Sequence, residues 1–156
     1  MKVIFVAHCL LNPAVNPFYE IDTSVIDELR KLGLAIEQMP CPEVGLYNVK
    51  RKPKTRDELD VYEYRKVVRN YANYVRKLIE KFRKAGIQVV AIVGFRYSPS
   101  CGVKRTLFGP NYLKRREARA SGLFIEEIKK LVDVPILEYD PENPSKLIDD
   151  VRCLIE

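Results

Sequence analysis

The stretch Ile87-Gln88-Val89-Val90-Ala91-Ile92-Val93-Gly94 is a near-continuous apolar run. It reads as a strand buried on both faces, which is how a central strand of a parallel sheet looks. Just upstream, a helix from about Asp57 to Ala85 carries Val67, Val68, Tyr71, Tyr74, Val75, Leu78, Ile79 and Phe82 at helical spacing, and Gly86 closes it. Downstream, a Gly/Pro-rich loop from Phe95 to Asn111 leads to a helix through Phe124, Ile128 and Leu131. A short strand, Val134 to Glu138, follows, then a last helix starting near Pro144-Ser145. The first half repeats the pattern. A strand over Lys2 to His8 precedes a Pro-containing loop, Asn12 to Asp22. Asp22 or Thr23 then caps a helix with Val25, Ile26, Leu29 and Leu32 on one face, Gly33 ends it, and a strand runs from Leu34 to Pro40. The order βαβαβαβα predicts an α/β fold: a single Rossmann-like domain, residues 1–156, of about four parallel strands with helices on both faces. The crossovers are right-handed and the first strand lies near the middle.

A chain of 156 residues suits one domain, and 47% apolar with 31% charged residues excludes a disordered polymer. No apolar run is long enough to span a bilayer. Lys2 is followed by a short strand-like run without a small-residue cleavage site, so a cytoplasmic location is expected. There thiols stay reduced, and the 4 cysteines read as metal-binding or catalytic rather than as a disulfide framework. The net charge of +6 is concentrated in Lys50–Arg56, Lys104-Arg105 and Lys114–Arg116. These stretches are either solvated faces or a lure for an anionic ligand, a nucleotide or RNA.

Cys9, Cys41 and Cys101 each lie just past a β-type run. A parallel sheet brings such strand ends to one edge, where open α/β sheets place their ligands. Thiolates are soft ligands suited to zinc or iron–sulfur clusters, and a set of three leaves one position open. Closed zinc sites usually use CxxC pairs, and none occurs here. Cys153 falls opposite the Leu147, Ile148, Val151, Leu154, Ile155 stripe of the last helix, so it is expected to face solvent. His8, the chain's 1 histidine, is expected at a strand end on the face opposite Cys9, packing or capping rather than ligating. Pro42 and Gly102 beside two of the cysteines shape loops whose amides can face sulfur or an anion. Glu43 is placed to act on a substrate as acid or base, with Ser98 and Ser100 on the opposite lip.

In order and spacing, Cys9-Leu10-Leu11-Asn12, Cys41-Pro42-Glu43 and Ser98-Pro99-Ser100-Cys101-Gly102 resemble the thiouracil desulfidase (TudS-like) family. They look most like its branch with His-Cys-Leu-Leu-Asn near the start, and the resemblance covers nearly the whole chain. It implies a [4Fe-4S] cluster held by Cys9, Cys41 and Cys101, with an open fourth iron that takes the sulfur of a thiolated pyrimidine. Water then replaces sulfur at the ring carbon without redox turnover. The acid–base role falls to Glu43, assisted by Ser98 or Ser100. The chain departs from the better-known members after the first cysteine, at Asn12 to Tyr19, and at Val44-Gly45-Leu46-Tyr47, both expected to line the substrate pocket. The small thiolated partner is therefore a base, nucleoside or nucleotide. Two alternatives stand beside this one. An RNA-binding or tRNA sulfur-chemistry protein would use the basic loops with Tyr47, Tyr97 and Tyr112 as stacking platforms. A non-catalytic metal-binding module would need a fourth ligand, with His8 the conspicuous candidate.

Overall fold

The structure, a computed structural model, describes residues 1–156. In chain order its elements are β1 (Lys2–Val6), α1 (His8–Leu11), α2 (Ser24–Lys31), β2 (Leu34–Gln38), α3 (Pro42–Leu46), α4 (Arg56–Leu59), α5 (Tyr62–Lys84), β3 (Gln88–Phe95), β4 (Arg105–Phe108), β5 (Arg116–Arg119), α6 (Leu123–Leu131), β6 (Ile136–Tyr139) and α7 (Ser145–Ile155). The main sheet has 4 strands in the order β2-β1-β3-β6, and every pairing in it is parallel. This is the expected fold class. The apolar run that decides it, β3, is buried from Val89 to Phe95 in the middle of the sheet. Helices α2 and α7 pack together on one face, and α5 and α6 on the other. Burial of both faces removes far more apolar surface from water than a one-sided sheet does, at roughly 25 cal/mol per Å². No helix is long and apolar enough to cross a membrane.

The strand order places β1 and β3 side by side while the chain leaves them towards opposite faces, so the switch point lies at their carboxyl ends. Ladder bonds persist to that edge: the Ala7 amide donates to the Val93 carbonyl at 3.0 Å, and the Met39 amide to the Val6 carbonyl at 2.8 Å. Cys9, Cys41 and Cys101 follow directly.

Four expectations change. β1 ends at Val6, and His8 and Cys9 belong to the single turn of α1, so strand alternation does not separate them. The long helix is two. Thr55 and Glu58 form a capping box that starts α4, and the chain turns at Asp60 and extends at Val61 before α5 begins. Within α5 the buried stripe is Tyr64, Val68, Ala72, Val75 and Ile79, while Tyr74 is exposed. Finally, the Phe95–Asn111 loop is not wholly irregular: β4 pairs antiparallel with β5 as a hairpin beside the sheet. Gly33 ends α2 in a left-handed conformation, φ 84°, and Cys153 is exposed on α7, both as the sequence implies.

Candidate active site

Cys9 is held in α1, Cys41 caps α3 at Pro42, and Cys101 lies in the loop after β3. All three thiols are free and face one recess, which Ala7, His8, Asn16, Glu43, Arg51 and Ser98 also wall. His8 thus lines the site instead of turning away from it, and burial lowers its pKa.

The Cys101 loop is fixed from both sides. Ser98 Oγ accepts the Cys101 amide at 2.9 Å and the Ser100 amide at 3.3 Å. The Cys101 carbonyl accepts from the Phe95 amide at 2.8 Å, which folds the loop back over the end of β3. Gly94 permits this, because a Cβ there would overlap the Cys101 carbonyl oxygen. On the far side, the Pro99 and Ser100 carbonyls accept from the Leu123, Phe124 and Ile125 amides, donors that the first turn of α6 would otherwise leave unpaired.

Burial pushes the Cys9 thiol up to about 12, and pushes Cys101 well above the ordinary thiol range. Cys41 is raised chiefly by burial too, partly offset by the Val44 and Glu43 amides of α3. Cys41 raises Cys9 electrostatically, and Cys41 and Cys9 both raise Cys101. Such a nest of soft, mutually repelling donors is what an electron-poor metal centre stabilises as thiolates. No three His, Cys, Asp or Glu side chains gather closely enough for a single metal ion. An iron–sulfur cluster binds each thiolate through a different iron, so its ligands stand further apart than those of one ion. With three thiols on one recess and the fourth cysteine elsewhere, the residues present fit a cluster with three protein ligands better than a closed zinc site.

Glu43 sits within this wall, buried, and both its oxygens are engaged. Oε1 pairs with Arg51 Nε at 3.5 Å, and Oε2 accepts from Ser100 Oγ at 2.9 Å. Ser100 Oγ also meets the hydroxyl of Tyr64, a side chain with no exposed surface. The two candidate serines therefore differ: Ser98 holds the cysteine loop and lines the recess, and Ser100 contacts Glu43. Arg51 is turned inward, its side chain only 6% exposed, so the basic Lys50–Arg56 stretch is not a uniform solvated patch. Arg56 likewise turns in, bonding the Ser121 carbonyl and Glu126.

Asn16, Glu43, Arg51 and Ser98 are shared with a second, outer recess. Its walls add Phe18, Tyr19, Lys54, Tyr97 and Tyr112. Tyr19 and Tyr97 stack 11° from parallel with centroids 5.7 Å apart. Tyr97 is the one non-glycine residue with positive φ, 74°, an unfavourable conformation for a bulky residue that its bond to Glu142 (2.9 Å) helps to hold. Of the two segments expected to line the pocket, the first reaches this recess through Asn16, Phe18 and Tyr19, whereas Val44–Tyr47 lines neither recess and its Tyr47 stacks on Tyr64 instead. Sequence reasoning missed Arg51 and Tyr64 as individual site residues, while Asn16 belongs to the segment expected to line the pocket. Of the two missed, only Arg51 carried a signal, its closeness to Cys-Pro-Glu.

No family model matches the chain. The uncharacterized protein MJ0003 of Methanocaldococcus jannaschii is 25% identical over 158 residues, 98% of this chain and 94% of that protein. Among solved structures, the [4Fe-4S]-dependent thiouracil desulfidase TudS superposes with a TM-score of 0.68 at 19% identity, over 98% of this chain and 99% of that one. The fold implied by the motif resemblance is the fold found.

Proposed function

We propose that this chain belongs to the TudS-like family and is a [4Fe-4S]-dependent desulfidase that removes sulfur, without redox turnover, from a small thiolated pyrimidine base, nucleoside or nucleotide. The observation that carries this reading is the shared wall. Three thiols line the inner recess, and Glu43 and Ser98 line both it and an outer recess with aromatic walls. Cys9, Cys41 and Cys101 would hold the cluster, which would supply Lewis acidity for the substrate's sulfur. The outer recess receives the planar ring against the Tyr19 and Tyr97 side of its wall. Glu43 takes a proton from the water that attacks the thiocarbonyl carbon. The carbon–sulfur bond breaks and oxygen replaces sulfur; one of the two protons of water leaves on hydrosulfide and the other is released to solvent, so atoms and charge balance. Arg51 and Ser100 fix the two oxygens of Glu43 and so aim it at that water. The shared fold and the three motifs support the reading.

Protein purified without oxygen should contain roughly 4 iron and 4 acid-labile sulfide per chain, as a [4Fe-4S] cluster requires. It should consume thiouracil or its nucleotide and release hydrosulfide. Glu43→Gln should keep iron and sulfide while turnover falls at least about tenfold, the scale of a lost acid–base group. Zinc without sulfide, or wild-type turnover by Glu43→Gln, would overturn the reading.

A further inference from the structure

We infer that Tyr64 is a positioning residue of this reaction: its buried hydroxyl donates to Ser100 and thereby fixes the hydrogen bond from Ser100 to Glu43. This rests on the desulfidase reading. A serine hydroxyl has one proton. Ser100 Oγ spends it on Glu43 Oε2, 2.9 Å away, so in its contact with Tyr64 it can only accept. Tyr64 is therefore the donor. Its hydroxyl makes no other hydrogen bond, and the side chain has no exposed surface, so water does not compete for it. The chain of hydrogen bonds runs one way, from Tyr64 to Ser100 to Glu43, and nothing lies behind Tyr64. A dead end cannot pass protons to solvent, so the device orients and does not conduct. In a dry site such linked bonds polarise one another, and a missing donor leaves its acceptor short of a partner.

Tyr64 lines neither recess, so it touches neither ring nor thiols and acts through Ser100. Its place is set by the break between α4 and α5. The turn at Asp60 and the extended Val61 let α5 start afresh, with Tyr64 on its buried stripe and stacked on Tyr47. The next residue, Arg65, bonds Asp60 and Glu126, which pins that first turn against α6. The break thus delivers one hydroxyl to the back of the catalytic pair.

The test is Tyr64→Phe in the cluster-loaded protein, which removes one oxygen and keeps the ring, with Tyr62→Phe on the exposed side of α5 as control. Two readouts are taken. In kinetics, kcat should fall about tenfold, the scale of a lost buried hydrogen bond, with KM and iron content unchanged. In infrared difference spectra against Glu43→Gln, the Glu43 carboxylate band should shift in Tyr64→Phe and in Ser100→Ala, and stay in Tyr62→Phe. An unmoved band with unchanged kcat would overturn the inference, as would a KM effect alone. A parent protein that turns over no thiolated base would overturn the desulfidase reading, while the band would still decide whether Tyr64 orders Ser100 and Glu43.

Discussion

Ser98 and Ser100 stand two positions apart in one loop, and each acts on a different neighbour. Ser98 Oγ accepts the Cys101 amide, so Ser98→Ala frees the loop that carries the third thiol. The expected cost is about 1 kcal/mol of stability, one net hydrogen bond, together with faster loss of iron in air, read by absorbance decay. Cys101→Ser replaces a soft ligand with a hard oxygen. Iron and sulfide should be lost while far-UV circular dichroism stays at the parental level, and full iron in that variant would remove Cys101 from the ligand set. The cysteines and Glu43 were legible in the sequence because Pro and Gly beside them mark short loops at strand ends. Arg51 and Tyr64 were not. Nothing local says which member of a basic run turns inward, and Tyr64 joins the buried stripe of α5 only once the break at Asp60–Val61 sets the phase of that helix. Tyr74, counted on the apolar face, falls off the Tyr64, Val68, Ala72, Val75 and Ile79 stripe at 100° per residue and is exposed.

Among the elements, the four βα units were legible because period and end signals agree. The hairpin β4–β5 was not, since its strands are only 4 residues each, too short to show a strand period. That hairpin is tied to α4 at its turn: Thr55 Oγ1 donates to the Gly109 carbonyl at 2.7 Å, and Asp57 accepts the Gly109 amide at 2.8 Å. Thr55→Ala removes both a cap and this tie, at a cost of about 2 kcal/mol by chemical denaturation. Gly94→Ala forces the Cys101 loop off β3 and should reduce both stability and cluster retention, whereas a surface alanine should do neither. The junction of α4 and α5 also titrates. The hydrogen bond from Arg65 holds Asp60 below its usual pKa. A depressed carboxylate stabilises above its unfolded value, about 3.9, and that share is lost as pH falls through the lower folded value. Asp60→Asn should therefore cost no more than about 1 kcal/mol at pH 7, as exposed ion pairs do. The cost should vanish at acid pH, and a difference that persists there would contradict the ion-pair account.

For the whole molecule, the question is whether a cluster would build the fold or only use it. The three thiols come from three different βα junctions, so a bound cluster cross-links residues 9, 41 and 101 along one edge of the sheet. The core does not depend on that link. Phe5, Ile92, Phe95, Phe124 and Tyr139 are all fully buried away from any need for metal, and Phe5 packs edge-on against Phe82 at 5.8 Å. A ligand that binds only the folded chain adds stability by mass action, and for a domain of this size each kcal/mol moves the melting temperature by a few degrees, so stripping iron should lower it by about 5–10 °C. The apoprotein should stay folded, with helix and strand signals intact. Hydrogen exchange should quicken at Pro42–Leu46 and Ser98–Gly102, where the ligand loops lie, and stay slow at Val89–Val93 in the central strand. Global unfolding on removal of iron would instead make the three thiols part of what holds the sheet together, and the edge would then be a structural clamp before it is a reaction site.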